Sequence, residues 1–333
     1  MGGECSKILK VTAIAVFSGG LDSILAVKVI DGQDIEVRGV TFETPFFNAG
    51  KARIAARRIG LALTVIDFTQ EHLEMLKAPR YGYGKNMNPC IDCHTLMLKR
   101  AGLLMEEIGA DFIFTGEVLG QRPMSQGKQS LLLVAKNSGY QDVVLRPLSA
   151  QFLPETLPER EGKVNRERLL ALQGRGRKDQ MELARRYGIT DYAAPAGGCL
   201  LTDPMFSKRL KDLFAHQPGF RVRDIELLKY GRHFRIGDTL KVIVGRKRSD
   251  NEAIRYLAED TDRMLHVADY PGPTVLIPYG GDDLDCQKAA SLCLLYSDAP
   301  NDKEMVVTCT RDGAGVAIRA LAATPDEAQG WII

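Results

Sequence analysis

Ser18-Gly19-Gly20-Leu21-Asp22-Ser23 is a set of residues built to hold a polyphosphate. It follows an apolar run at 11–17 and precedes Ile24-Leu25-Ala26-Val27, which reads as strand, glycine turn and helix. Such a turn aims backbone N–H groups and a helix N-terminus at one point. Gly19 and Gly20 let the main chain come close to a ligand, and Ser18 and Ser23 add hydroxyls. Asp22 has the wrong charge for a phosphate contact, so it orients the loop or holds a Mg²⁺ ion. The pattern is neither G-x-x-x-x-G-K-[ST] nor G-x-G-x-x-G. A second group of residues carries sulfur. Asn88-Pro89-Cys90-Ile91-Asp92-Cys93-His94 opens a helix, and Cys199 sits in the glycine turn Pro195-Ala196-Gly197-Gly198-Cys199. A helix start is expected to lower a thiol pKa, and the glycines would let Cys199 swing over a site. Three such thiols suit either of two chemistries. Cys90, Cys93 and Cys199 could ligate three irons of a [4Fe-4S] cluster, or one could carry a persulfide that another resolves as a disulfide.

These residues need a scaffold. Strands are expected at 11–17, 35–42, 61–68, 110–115 and around Val143-Val144, with helices at 49–59, 71–77 and 91–108. Strands alternating with helices make an α/β fold, a doubly wound parallel sheet whose ligands bind at the carboxyl ends of the strands. That gathers the Ser18 loop, Thr41-Phe42 and Thr115-Gly116-Glu117 around one crevice. Glu117 there is a Mg²⁺ ligand or a strand-end cap, and Arg146 at the next strand end is placed to bind a phosphate or a leaving pyrophosphate. Residues 151–218 read as a small helical adaptor, helical at 165–173 and 178–187. Residues 219–333 read as a separate α+β domain of short strands and turns. His94 reads as a helix-surface histidine. Cys286, Cys293 and Cys309 read as buried, inert thiols.

The bulk numbers agree with a globular protein: 45% hydrophobic and 26% charged residues in a chain of 333. No apolar run approaches a membrane span, and residues 1–5 lack the blocks of a signal peptide. A cytoplasmic location follows, where seven cysteines are thiols, ligands or catalysts rather than a disulfide framework. The net charge of +2 conceals an asymmetry. Residues 160–248 hold 21 Lys and Arg against 10 Asp and Glu, and the rest holds 23 against 32. An excess of that size is either a footprint for a polyanion or a set of solvated helix faces.

The loop, the Asn88-Pro89-Cys90-x-x-Cys93 motif, Ala110-Asp111-Phe112-Ile113-Phe114-Thr115-Gly116 and the late Gly197-Gly198-Cys199 together resemble the PP-loop ATP pyrophosphatases, specifically their tRNA 2-thiouridylase branch. The resemblance runs in order through roughly the first 205 residues. It implies ATP and Mg²⁺ as reactants, adenylation of a base carbonyl, tRNA or another structured RNA as substrate, and a sulfur donor protein or sulfide as partner. It implies Ser18, Gly19, Gly20, Asp22, Ser23, Phe42, Gly116 and Arg146 as ATP contacts. It also implies Cys93 and Cys199 as the catalytic pair. The family often has Asp at Cys90, Asn at His94 and His at Glu117; Cys90 brings the chain closer to thiolases that use three cysteines and an iron–sulfur cluster. A PP-loop ligase or an iron–sulfur desulfidase is the other enzyme reading. Further on, Val244-Gly245-Arg246-Lys247-Arg248-Ser249-Asp250-Asn251-Glu252 and Leu265-His266-Val267-Ala268-Asp269-Tyr270-Pro271-Gly272-Pro273 resemble the NFACT-type RNA-binding domain, with Arg246, Lys247 and Arg248 as phosphate contacts.

Overall fold

The computed structural model describes residues 10–122, 125–192 and 198–333; residues 1–5, and the 195–197 part of the glycine turn, lie outside them. The chain forms two compact units, Met1–Thr202 and Asp203–Ile333. The first contains β1 (Thr12–Val16), α1 (Leu21–Asp31), β2 (Glu36–Glu43), α2 (Gly50–Ile59), β3 (Ala62–Asp67), α3 (Thr69–Lys77), α4 (Cys90–Ile108), β4 (Phe112–Thr115), α5 (Lys128–Ser138), β5 (Val144–Leu145), α6 (Leu157–Arg160) and α7 (Lys178–Arg186). Its sheet has the order β3-β2-β1-β4-β5 with every pair parallel.

Successive residues of a strand face opposite sides, and both sides are buried here. Ala13, Ala15, Phe112 and Phe114 join one core with α1 and α2. Ile14, Val40, Phe42 and Ile113 join the other with Leu98, Ala101 and Met105 of α4. The strand order reverses at β1, the position where open α/β sheets form their ligand crevice. Val16 is in register with both Val40 and Thr115, so the loops leaving β1 and β4 emerge side by side.

Residues 151–202 belong to the first unit, where Val164, Leu169 and Ala184 enter its core. The expected helix at 165–173 is only a 3-10 turn, Arg166–Arg168. Beyond it the main chain pairs with the segment after β5, Leu170 N–H to Pro147 O at 2.9 Å and Leu172 N–H to Leu148 O at 2.8 Å, which holds it extended.

The second unit holds α8 (Pro204–His216), α9 (Val222–Leu227), β6 (Arg232–Ile236), β7 (Leu240–Val244), α10 (Arg248–Leu257), β8 (Arg263–Val267), β9 (Val275–Ile277), α11 (Asp283–Leu295), β10 (Met305–Arg311), β11 (Ala314–Ala320) and α12 (Pro325–Trp331). Its six-stranded antiparallel sheet has the order β11-β10-β8-β9-β7-β6. Cys286, Cys293 and Cys309 lie in the core of this unit. No helix among the described residues is long and apolar enough to cross a membrane.

His72 on α3 is fully buried within a box of Phe46, Phe47 and Phe68, at ring separations of 5.4, 5.6 and 5.5 Å. Neither ring nitrogen has a hydrogen-bond partner, and burial lowers its pKa to about 4. The unfolded chain therefore binds a proton that the folded one refuses between pH 6.5 and 4. Stability should fall through that window by up to about 3 kcal/mol on account of this one group. Urea unfolding of wild type and His72→Phe across that range should show a steeper acid loss in the wild type; parallel pH profiles would refute a neutral buried imidazole.

Candidate active site

The loop after β1 is shaped by what it leaves out. Gly19 has φ +74°, and a Cβ there would lie 2.6 Å from the Lys51 carbonyl oxygen and 2.8 Å from Ala52 Cα. A Cβ on Gly116, just after β4, would lie 2.5 Å from the Ser23 nitrogen. Main chain thus packs on main chain at the start of α1 and at the start of α2. Ser23 Oγ donates to Gly20 O at 2.8 Å, and Ser18 Oγ to Ser23 Oγ at 3.4 Å, while Ser18 itself stays exposed. No side chain caps α1, so its first-turn amides are left for a ligand, and the cradle fits a nucleotide phosphate.

Asp22 accepts from Gln121 Nε2 at 3.1 Å through Oδ2, whereas its Oδ1 is buried without a hydrogen-bond partner. Burial pushes this carboxyl up, against the Gln121 hydrogen bond and the charges of Arg177 and Arg122. A desolvated carboxylate oxygen with no donor suits a divalent cation that also binds phosphate. Arg122 also favours the thiolate of Cys90, so its guanidinium stands near both the loop and the sulfur residues. Arg177, at the start of α7, has a buried Nε without a partner. The sequence singles out Arg177 only as part of the basic run at 160–248 and gives Arg122 no role, because each enters from a turn that carries no motif.

Three expected site residues are occupied otherwise. Phe42 is 4% exposed and packs in the core against Phe68, ring centres 5.1 Å apart, rather than facing the crevice. Arg146 is also buried; its Nε donates to Glu117 Oε2 at 3.0 Å and its Nη2 to the Leu131 carbonyl at 2.9 Å, which ties it up away from phosphate. Glu117 is fully used as well, accepting from Thr115 Oγ1 at 3.0 Å and pairing with His94 Nδ1 at 3.0 Å. Burial alone would raise its pKa, but the Arg146 charge and the His94 and Thr115 hydrogen bonds outweigh that and bring it to about 2. With both oxygens engaged, Glu117 anchors His94 and Arg146 and does not fit a Mg²⁺ ion. His94 and Glu117, two positions where the sequence departs from the thiouridylase pattern, are therefore one interaction.

Cys90 and Cys93 open α4, and Cys199 is docked beside them. Leu200 N–H donates to the Phe46 carbonyl at 3.1 Å and Asn86 Nδ2 to the Thr202 carbonyl at 2.8 Å, which fastens the Cys199 segment to the crevice. The expected lowering of thiol pKa at the helix start is reversed. Burial pushes Cys90 up, Cys93 well up and Cys199 up to about 11. Cys199 and Cys90 each press further on Cys93, so the three sulfurs share one small volume. Among the described residues no group of three or more His, Cys, Asp or Glu is arranged to hold a metal ion.

Residues 9–151 match the family model described as thiamine biosynthesis protein (ThiI), and residues 231–332 match the one described as NFACT protein RNA binding domain. The chain is a ThiI-like PP-loop domain followed by an NFACT domain. Across 225 residues it is 27% identical to the tRNA-specific 2-thiouridylase MnmA of Marinobacter nauticus, covering 62% of this chain and 54% of that protein. Across 118 residues it is 32% identical to the tRNA-specific 2-thiouridylase MnmA of Syntrophotalea carbinolica, covering 31% of this chain and 33% of that one. The chain thus spans between a third and about half of the length of these curated relatives. A solved 4-thiouridine synthetase–RNA complex with bound ATP is 18% identical, over 55% of this chain and 54% of that one, with a TM-score of 0.34. In the NFACT domain Arg246, Lys247 and Arg248 are exposed at the start of α10.

Replacing Gly19 by Ala adds a Cβ where the Lys51–Ala52 backbone stands and strains a left-handed φ. Gly19→Ala in the ThiI-like domain should weaken ATP binding at least about tenfold, as the loop must shift to fit. Equilibrium binding of a fluorescent ATP analogue reads this, and unchanged affinity would disprove the cradle. Glu117→Ala should lower stability by about 3–5 kcal/mol, since it leaves Arg146 buried and unpaired; a chemical denaturation midpoint equal to wild type would disprove the anchoring role.

Proposed function

We propose that this chain is an ATP-dependent RNA sulfurtransferase that adenylates a base carbonyl of tRNA and replaces its oxygen with sulfur. The observation that carries this reading is the convergence of a phosphate loop and a pair of packed thiols, Cys93 and Cys199, on the carboxyl end of one parallel sheet. The ThiI match and the thiouridylase relatives support it, and the NFACT match supports RNA as the partner.

The base carbonyl oxygen attacks the α-phosphorus of ATP, and the bond to the β-phosphate oxygen breaks with loss of pyrophosphate. The α1 N-terminus, Ser18 and Ser23 hold the phosphates; Arg122 and Arg177 take the place expected of Arg146. A Mg²⁺ ion, held by Asp22, would neutralise phosphate charge. Positioning and charge neutralisation supply most of the acceleration. Cys199, less buried than Cys93, is the sulfur the donor can reach. Its thiolate takes the outer sulfur of a donor protein's persulfide and releases the donor thiolate. The resulting Cys199 persulfide attacks the activated base carbon, and AMP departs. The Cys93 thiolate then attacks Cys199 Sγ and breaks the S–S bond, leaving the thiolated base and a Cys93–Cys199 disulfide. An external dithiol reduces that disulfide and completes the cycle.

Thiolated nucleosides can be quantified by mass spectrometry after incubation with tRNA, ATP, Mg²⁺ and a persulfide donor. Cys93→Ser and Cys199→Ser should each abolish thiolation yet still release pyrophosphate. Asp22→Ala and Ser23→Ala should slow pyrophosphate release about 100-fold. Cys90→Ser should stay within a few-fold of wild type, as Cys90 has no step of its own. Full thiolation by Cys199→Ser, or by wild type without ATP, would overturn the assignment.

A further inference from the structure

A cavity of about 520 Å³ opens in the second unit at the start of α10. Five cations line it, Arg232, Arg246, Lys247, Arg248 and Arg255, against a single carboxylate, Glu252. Arg246 reaches Asp250 at 3.5 Å and Arg248 reaches Glu252 at 2.8 Å. Among the described residues Arg232, Lys247 and Arg255 have no carboxylate within ion-pair distance, so most of this charge is uncompensated.

The cavity also offers a planar face. The Arg232 guanidinium carbon lies 4.5 Å above the ring centre of Tyr296, another lining residue, in cation–π contact with it. The floor is fixed in advance. A Cβ on Gly245 would fall 1.9 Å from Asn251 Oδ1, and that oxygen accepts from Thr274 N–H at 3.0 Å. Asp250 Oδ2 accepts from Gly231 N–H at 3.2 Å and Arg246 N–H at 3.3 Å. No side chain caps α10.

A preformed concavity, uncompensated positive charge and a stacking plane make one combination. We infer that this cavity holds a single unpaired nucleotide of an RNA strand, its phosphate among Lys247, Arg248 and Arg255 and its base against the Arg232–Tyr296 stack. The inference rests on RNA being the partner of this chain. The volume is within the range of ligand pockets, about 300–1,000 Å³. A base pair inside a duplex keeps its faces stacked and cannot present one to a concave site, whereas unpaired bases stack readily on guanidinium and aromatic planes.

Fluorescence anisotropy with the full chain tests this, using a short single-stranded RNA, a duplex of the same sequence and a nucleoside monophosphate. The single strand should bind more tightly than the duplex. Arg232→Lys keeps the charge but loses the plane, and Arg232→Gln loses the charge but keeps much of the plane. Arg232→Lys should weaken single-strand binding about tenfold, the size of one lost stacking contact, and leave duplex binding unchanged. Arg232→Gln should weaken the single strand less than Arg232→Lys does. Equal affinity for strand and duplex, with neither variant changing it, would overturn the pocket and leave RNA binding by the chain intact. No binding of either RNA would instead overturn RNA as the partner. A monophosphate that bound as tightly as the strand would make this a free-nucleotide site and overturn the assignment to RNA.

Discussion

Main chain lies on main chain at the head of α1, with no side chain in between. Gly19 presses on the Lys51–Ala52 backbone and Gly116 on the Asp22–Ser23 backbone. Those contacts fix the separation of three segments that leave different parts of the sheet. The loop after β1, the end of β4 and the start of α2 pack too closely to admit a side chain between them. Everything the crevice presents hangs from that junction. Asp22 and Ser23 are oriented by it directly, and Glu117 is set one residue beyond it. Through Glu117 the constraint reaches Arg146 and His94, and so the first turn of the cysteine-bearing helix.

Burial explains how a helix start can carry protonated thiols. A helix N-terminus favours anions, and an open cysteine there would ionise. Cys93 is instead 8% exposed and surrounded by Cys90, Cys199 and Asp92, so desolvation and neighbouring negative charge override the dipole. Asp92 has a further task, accepting from the Arg80 and Tyr81 amides at 3.1 Å each, which fixes the approach to α4.

The sheet was largely legible in the sequence, because a glycine turn between an apolar run and a helix has few alternative readings. The site was legible where it depends on backbone and illegible where it depends on pairing. Phe42 could not be assigned a side from sequence, since a central parallel strand is apolar on both faces. Arg146 and Glu117 are 29 residues apart, and nothing local shows that a strand-end arginine meets a strand-end acid. The basic run from 160 to 248 overstated the free charge for the same reason. Arg235 and Lys241 both close on Asp212, at 2.9 and 2.7 Å, and Arg166 closes on Glu159. Only folding separates the spent cations from those left at the start of α10.

The high thiol pKa values bear on how this site survives an oxidising world. Peroxides react with thiolates and largely spare thiols, so desolvated sulfurs are poor entrants to the ladder of sulfenic and sulfinic acids. Cys199, pushed up to about 11, rests in its unreactive form. In the proposed reaction its reactivity is switched on by an arriving donor rather than stored in waiting, and the burial that keeps the sulfur protonated also shields it from oxidation.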